Sequence, residues 1–244
     1  AEGVTDRRAV GGDLRYFDSQ RTVYTMLDYD VSYQALNAAT VQGTWQLPDQ
    51  TTFSLLLDNR KAPALQTSNA LISTGCSTFD QALNSVCPDG HTYTVDSLRQ
   101  LAQATTADSK QAAFGVTRPF GTHWQAAADV RLSNVGPLPA LNTLPPQPGT
   151  GNVYTYDLQT TGSNLYSQRD INSFTLSHLN GPLFSGNQVA YSNLTGLLDN
   201  RVTLEPSLRY YSQDDNQGVR LTRLSPSLRA TYRLLPHMSL ESEI

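Results

Sequence analysis

Alternation of apolar and polar side chains over residues 23–60 is the feature that most limits how this chain folds. The apolar positions are Val23, Leu27, Tyr29, Val31 and Tyr33 in a first stretch, Val41, Gly43, Trp45 and Leu47 in a second, and Phe53, Leu55 and Leu57 in a third. A period of two belongs to a β-strand and not to a helix. Each stretch runs for about 10 to 12 residues, whereas strands of soluble sheets have about 5 or 6 and a bilayer needs about 9 to 11 tilted residues. We therefore expect membrane-spanning strands, with apolar side chains facing lipid and polar ones facing inward.

The average composition is compatible with such strands. The 244 residues are 39% hydrophobic, and their mean hydropathy is −0.38. A strand that shows lipid at every second residue keeps a mean hydropathy near that of a soluble protein, and it needs no run of about 18 apolar residues. These features predict an all-β, antiparallel transmembrane β-barrel in the bacterial outer membrane, surrounded by outer-membrane lipid.

The rest of the chain repeats the pattern and brings the expected number of strands to about 12. Further strands are predicted near residues 9–17, 111–119, 124–132, 154–159, 171–180 and 188–198, and around the near-copies LEPSLR (204–209) and LSPSLR (224–229). Pro206 and Pro226 predict a bulge or a missing ladder bond in the last two. Residues 136–151 contain five prolines, which predict a stiff, extended segment without ladder hydrogen bonds.

Residues 1–244 are expected to form one barrel domain that is a fragment of a longer chain. If the first turn is periplasmic, the strand near Ala9 runs inward, so an earlier strand must carry the chain outward. The strand that begins at Met238 needs a later partner in the same way. Because closed bacterial barrels have an even number of strands, we expect about 14 to 16 strands in the full barrel.

One connection, residues 62–110, is much longer than an ordinary loop and is expected to be an insertion with its own structure. Thr78 and Gln81 fit a capping box at the start of a short helix over residues 79–86. Apolar residues at helical spacing predict a second helix after Thr94. The long loop should therefore carry short helices.

Cys76 and Cys87 are the two cysteines of the chain, and they bracket the first of these helices. A close pair in a protein that otherwise avoids cysteine predicts a disulfide formed in an oxidising compartment such as the periplasm. The four histidines are scattered through unrelated segments, so we expect neither a metal site nor a cofactor.

Alternate connections are short, and most of the others are longer. The short ones are predicted at residues 18–21, 48–50, 120–122, 167–170, 199–200 and 236–237. Bacterial barrels keep short turns in the periplasm and long loops outside. The disulfide loop and the proline-rich loop should then both be extracellular.

Charged residues occupy the positions of opposite parity to the apolar ones. The candidate lumen-lining residues are Asp28, Asp30, Asp58, Arg60, Asp129, Arg131, Asp157, Glu205, Arg209, Arg223, Arg229 and Arg233. Their structural interpretation is that neighbouring Asp and Arg side chains pair across strands to fill and stiffen the wall, whatever the barrel transports. Their functional interpretation is a charged path through the membrane.

Other functions are less compatible with the sequence. The net charge of −4 gives no reason to expect nucleic acid as a partner. No histidine stands at a recognisable motif spacing from a serine and a carboxylate, so we expect no catalytic residues and no enzymatic activity. A soluble β-sandwich with a carbohydrate site is an alternative that detergent-free solubility would reveal.

Three segments carry a resemblance to a known family: DRRAVGGDLRYF at 6–17, LLDNRKAP at 56–63 and GTGNVYTY at 149–156. They resemble the C-terminal barrel of large proteobacterial outer-membrane proteins with periplasmic tetratricopeptide repeats, and the resemblance covers most of the chain. In architecture this is similar to exporters of exopolysaccharides such as Pel, poly-N-acetylglucosamine and cellulose. The resemblance implies a periplasmic helical-repeat domain, secretion-complex partners and a conduit that exports a polymer. The alternative is a structural anchor or binding protein for a surface assembly, with a closed pore.

Overall fold

The computed structural model describes residues 4–141, 144–199, 201–235 and 237–244. In this part of the chain, twelve strands form one antiparallel sheet in which each strand is followed by its sequence neighbour. The strands are β1 (Ala9–Phe17), β2 (Arg21–Asp30), β3 (Ala35–Gln46), β4 (Thr52–Ala62), β5 (Ala107–Phe120), β6 (Trp124–Val135), β7 (Val153–Ser163), β8 (Ile171–Asn180), β9 (Phe184–Leu197), β10 (Val202–Asp215), β11 (Arg220–Leu235) and β12 (Met238–Glu243). The predicted all-β, antiparallel fold is confirmed.

Three short helices lie between β4 and β5: α1 (Asn69–Thr74), α2 (Phe79–Asn84) and α3 (Val95–Ala104). None of the helices in the described part of the chain is long and apolar enough to cross a membrane. The last two correspond to the helices predicted in the long loop, whereas α1 was not predicted.

The apolar face of the strands is exposed. Leu14 on β1, Leu27 on β2, Leu57 on β4 and Leu208 on β10 are 61%, 57%, 46% and 47% exposed, respectively. A soluble sheet would bury such a face, because exposing a contiguous apolar surface to water is unfavourable. The predicted parity is therefore confirmed, and the chain is a bacterial outer-membrane protein of the β-barrel type whose apolar face contacts lipid.

The chain divides into two compact units. Unit 1 comprises Ala1–Thr44, Leu55–Ala112 and Leu132–Asn152, and it contains β1, β2 and the helical insertion. Unit 2 comprises Trp45–Ser54, Ala113–Arg131 and Val153–Ile244, and it contains β7 to β12.

Residues 63–106, here called the loop domain, have a hydrophobic core of their own. Leu65, Ala70, Leu98 and Ala102 are at most 1% exposed and belong to one buried cluster. The caps of α2 and α3 follow from the sequence: the Thr78 hydroxyl accepts from a backbone N–H of α2, and Thr94 forms a reciprocal capping box at α3. The insertion is thus a folded element and not an extended loop.

The loop domain is hydrogen-bonded to the strands of unit 1. The backbone N–H of Thr67 donates to the carbonyl of Asp6 at 2.8 Å, and the Thr67 hydroxyl lies 2.8 Å from the Tyr33 hydroxyl. The backbone N–H of Leu65 donates to the Asn37 side chain at 2.9 Å. These bonds fix the domain against the β2–β3 turn, the start of β3 and the segment before β1.

The strand that the alternation predicts from Val23 to Tyr33 is shorter in the structure, where β2 ends at Asp30. Val31 and Tyr33 lie in a four-residue turn after β2, because the Asp30 carboxylate accepts from the backbone N–H of Tyr33 at 2.9 Å and closes that turn. Tyr33 then belongs to the core of the loop domain and is only 8% exposed. The position of Tyr33 has the parity of the lipid face, but its side chain packs in the core of the loop domain.

The sequence predicts a bulge or a missing ladder bond at each proline of β10 and β11, and the structure has no bulge at either one. The β10–β11 register runs without a shift through Pro206 opposite Leu228 and Pro226 opposite Leu208. On the other side, the pairing of β10 with β9 is interrupted between Leu204 and Ser207 and resumes in the same register. The missing ladder bond at Pro206 is therefore accommodated without an extra residue.

The proline-rich connection was predicted to lack ladder contacts, but Leu138 pairs with Gln147 and Leu141 with Leu144. Of the predicted short turns, Asn200 and Pro236 lie outside the described residues. The predicted fragment status and the total of 14 to 16 strands stay predictions.

Cys76 and Cys87 are joined in a disulfide, as predicted. Both are buried in the core of the loop domain, on either side of α2. Their separation of 11 residues closes a small ring. The bond therefore constrains the loop domain alone.

We expect the double variant Cys76→Ser plus Cys87→Ser to destabilise α2 and α3 by about 2 to 3 kcal/mol, the cost of opening a ring of this size. Hydrogen exchange at the amides of both helices should accelerate, whereas exchange in β7 to β12 should not change. Faster exchange throughout the strands would show that the bond supports the sheet as well.

Candidate functional site

Charged side chains lie on the face of the strands opposite the exposed apolar residues, here called the polar face. Residues directly opposite in an antiparallel pair point to the same side of the sheet. Glu205 of β10 is opposite Arg229 of β11, which is opposite Glu243 of β12. These three side chains therefore form one row on the polar face.

Arg229 is the centre of an ion-pair cluster in unit 2. Its guanidinium nitrogens lie 3.8 Å from the Glu205 carboxylate, 3.3 Å from that of Glu241 and 3.2 Å from that of Glu243. Glu205 and Arg229 were predicted site residues, but Glu241 and Glu243 were missed. Their role depends on the β11–β12 register, which a six-residue strand at the end of the sequence does not reveal.

Arg209, Arg223 and Arg233 have a different environment. Their opposite residues across β10, β11 and β12 are Ser225, Tyr211 and Ser239, respectively. None of the three arginines forms an ion pair with a carboxylate among the described residues, and all three are exposed. Acidic residues that are close to these arginines in sequence therefore do not form ion pairs with them.

In unit 1, Asp28 and Asp30 are brought together by a residue that the sequence did not indicate. The Arg7 guanidinium donates to the Asp28 carboxylate and lies 4.0 Å from that of Asp30. Asp30 is fully buried and closes the β2–β3 turn. Asp30 consequently has a structural role, whereas Asp28 is partly accessible.

Asp58 and Arg60 form a second pair in unit 1. The Arg60 guanidinium donates two hydrogen bonds of 2.6 Å to the Asp58 carboxylate, and the Thr40 hydroxyl donates a third of the same length. A two-pronged contact of this kind fixes both side chains. This pair fits the structural interpretation, in which Asp and Arg stiffen the wall.

The remaining candidates lie in unit 2. The Ser177 hydroxyl donates to the Asp157 carboxylate across β7 and β8. Oδ2 of Asp129 is buried and has no hydrogen-bond partner among the described residues. Arg131 is exposed. Within each unit, the predicted residues thus form separate local groups.

The first short turn is closed by Asp18. Its carboxylate accepts from the backbone N–H groups of Gln20 and Arg21, both at 2.7 Å, and from the Tyr16 hydroxyl at 2.8 Å. These hydrogen bonds, with that from Gln20 the most important, hold the pKa of Asp18 below its ordinary value of 3.8. The turn therefore prefers the ionised carboxylate.

Because the folded-state pKa of Asp18 is lowered, its stabilisation is complete above the unfolded value and is lost as pH falls through the folded value. We expect an NMR titration of its carboxyl carbon to give a midpoint below 3.8. Amide exchange at Gln20 and Arg21 should accelerate as pH falls below that midpoint, beyond the intrinsic pH dependence. The Asp18→Asn variant should lack this additional change, and a midpoint at or above 3.8 would contradict the assignment.

No group of three His, Cys, Asp or Glu side chains suited to a metal ion occurs among residues 4–141, 144–199, 201–235 and 237–244. Two of the four histidines have partners on neighbouring strands or turns: ring nitrogens of His123 and His178 lie 3.0 and 2.8 Å from oxygens of Ser163 and Asn187. The polar face therefore offers charges and hydroxyl groups as its chemistry.

Comparison with known proteins gives structural neighbours only. No protein family and no curated protein matches the sequence. The chain is similar to in-vitro folded OmpT, an outer-membrane protein of Vibrio cholerae, with 12% identity, a TM-score of 0.42, and coverage of 98% of this chain and 78% of that chain. It is also similar to a variant of that OmpT without loop L8, with 13% identity, a TM-score of 0.43, and coverage of 96% and 83%.

One expectation needs correction. The sequence predicts that the chain is not an enzyme, and this prediction is wrong as an exclusion. Its physical weakness is that catalytic groups are recognised by geometry and not by sequence position. The missing motif spacing around the histidines therefore excludes nothing. We assign no catalytic residue to the chain.

Proposed function

We propose that this chain forms the wall of an aqueous conduit through the outer membrane. The observation that carries the proposal is the position of Arg209 and Arg223 within β10 and β11. Both guanidiniums are exposed and lack a carboxylate partner among the described residues, while Leu208 and Leu224, their neighbours in sequence, belong to the lipid face. A charge at membrane depth is tolerated where it faces a water-filled cavity. The polar face is therefore best accounted for as the lining of a water-filled path.

The lining that we propose consists of the candidate residues predicted from the sequence, with Asp30 acting through the turn that it closes. The paired groups around Asp58 and Arg229 stiffen the wall, since charge-assisted hydrogen bonds fix side chains in place. The unpaired arginines are the residues available to a passing solute. This division supports both interpretations of the charged residues, at different positions.

The transported molecule that we propose is a hydrophilic polymer such as an exopolysaccharide, delivered by a periplasmic helical-repeat domain and its secretion partners. Support comes from the resemblance of residues 6–17, 56–63 and 149–156 to barrels of that class. The polar face adds hydroxyl and guanidinium groups, which are suitable donors to sugar oxygens. We propose the orientation usual for bacterial barrels, in which the short turns are periplasmic and the loop domain is extracellular.

The test is the ion conductance of the purified protein in a planar bilayer, for the wild type and for a variant in which a short Gly/Ser linker replaces residues 66–104. We expect conductance in both and a larger value in the variant, because the loop domain restricts the extracellular end. The ends of the replaced segment are close together, since the Asn69 side chain bonds the Ala64 carbonyl and the Thr106 hydroxyl.

The alternative is an anchor or binding protein for a surface assembly. One observation favours it: the loop domain is folded and cross-linked, and it exposes Ile72 and Val86 by 64% and 67%. Exposed apolar side chains on a rigid element suit a protein contact. Absence of conductance in both forms of the protein would support this alternative and refute the conduit.

A further inference from the structure

Two arginines face each other at the short-turn end of β10 and β11. The backbone N–H of Arg233 donates to the Arg201 carbonyl at 2.7 Å, so the two residues are directly opposite. Like charges in this arrangement repel and destabilise a sheet. Neither arginine forms an ion pair with a carboxylate in the part of the chain that the structure describes. The pair therefore has no structural explanation within the described residues.

The two side chains share a cavity of about 350 Å³. The polar lining of this cavity, which we name the anion pocket, consists of Arg201, Thr203, Thr231, Arg233, His237 and Ser239. Leu235 and Met238 complete the lining. Guanidiniums, hydroxyls and an imidazole all supply hydrogen-bond donors. The pocket thus combines positive charge with a surplus of donors.

Nearby carboxylates do not neutralise the anion pocket. Glu241 is opposite Thr231 of the pocket, but its carboxylate lies 3.3 Å from Nε of Arg229. Glu205 and Glu243 contact the same guanidinium. The acidic groups closest in register are therefore held by Arg229, and the charge of Arg201 and Arg233 remains available.

We propose that the anion pocket binds the oxyanion groups of an acidic sugar polymer where the polymer enters the conduit. This inference rests on the proposed function and specifies the charge of the substrate. The planar fork of a guanidinium matches a carboxylate or another oxyanion with two parallel hydrogen bonds. Two such forks on adjacent strands, flanked by hydroxyls for sugar oxygens, select an acidic polysaccharide over a neutral one.

The test is fluorescence anisotropy with the full chain in detergent micelles at low salt. Labelled oligogalacturonate is the acidic probe, labelled maltohexaose is the neutral probe, and inorganic phosphate is the competitor. We expect the wild type to prefer the acidic probe. The double variant Arg201→Gln plus Arg233→Gln should bind it about tenfold more weakly or worse, because charge-assisted bonds to both forks are lost.

Two further variants make the test specific. Arg118→Gln is the matched control: Arg118 also lies near a short turn, but it is already 3.8 Å from the Asp49 carboxylate, so binding should not change. Ser239→Asp retains both arginines and places a carboxylate opposite Arg233. It should therefore weaken oligogalacturonate binding even though the new ion pair favours the fold.

Several outcomes would overturn the proposal. The first is equal binding of the acidic and neutral probes. The second is undiminished binding of oligogalacturonate by the double variant or by Ser239→Asp. The third is displacement of oligogalacturonate by phosphate at a molar concentration equal to that of the galacturonate units. Conductance separates this inference from the proposed function. A conducting protein without acidic preference refutes the anion pocket alone, whereas preferential binding without conductance supports the pocket and refutes the conduit.

Discussion

Replacing Leu57 with arginine should prevent assembly of the protein into lipid. Leu57 is the central residue of β4, and its side chain is 46% exposed on the apolar face. A charged side chain on the lipid face costs about 2 to 4 kcal/mol near the bilayer midplane. This cost is a large part of the net stability of a typical domain, about 5 to 15 kcal/mol. Folding into vesicles, followed by protease protection and heat-modifiable gel mobility, measures the loss.

The matched control is Gln42→Arg. Gln42 belongs to β3 and is also exposed, but its parity is that of the polar face. There an arginine meets water or polar groups, so the folding yield should remain near that of the wild type. Equal yields for the two variants would refute the assignment of the apolar face to lipid.

The Leu98→Ala variant should unfold the loop domain while the strands remain intact. Leu98 is fully buried in α3 at the centre of the small core. Truncating a buried leucine costs about 2 to 5 kcal/mol, through lost burial and the cavity that remains. A core with few buried residues has little stability to spare.

Hydrogen exchange resolved by mass spectrometry separates the two parts of this prediction. Protection should be lost in α1 to α3 and retained in β7 to β12. Ile72→Ala is a suitable control, since Ile72 is 64% exposed and its truncation leaves no cavity. Loss of strand protection in Leu98→Ala would mean that the loop domain and the sheet unfold together.

The strands were predictable because every second residue of a lipid-facing strand has an apolar side chain. Leu27 and Leu208 lie far apart in sequence and both follow that rule. The end of β2 was not predictable in the same way. The period of two continues through Tyr33, and only the bond from its backbone N–H to Asp30 shows that the strand has ended.

Helix α2 was predictable from its capping residues and α3 from the helical spacing of its apolar residues, whereas α1 was not. Its first turn contains no acidic residue, and Ser68 makes no side-chain cap. Packing against α3, and the tertiary bonds from Asn69 to Ala64 and Thr106, hold it in place. Tertiary contacts of this kind leave no local pattern in the sequence.

The sequence predicted which face of the strands carries the charged residues, but not which of these residues form ion pairs with one another. Opposite parity identified Glu205 and Arg229, which do meet. The contacts of Arg229 with Glu241 and Glu243 depend on strand register. Arg7 precedes the first strand, so no alternation pointed to its contact with Asp28. Pairing is a property of the sheet and not of one strand.

The order of charges along β10 to β12 has a consequence for movement. From the short-turn end, Arg201 and Arg233 make a positive band, the carboxylates around Arg229 make a negative band, and Arg209 with Arg223 makes a second positive band. Residues four apart on a strand are separated by about 13 Å. A chain of like charges that slides along this surface is attracted and repelled in turn, so no single register holds all of its charges at once. Attraction strong enough for entry, yet divided among sites that favour release, is the condition for rapid passage through a pore.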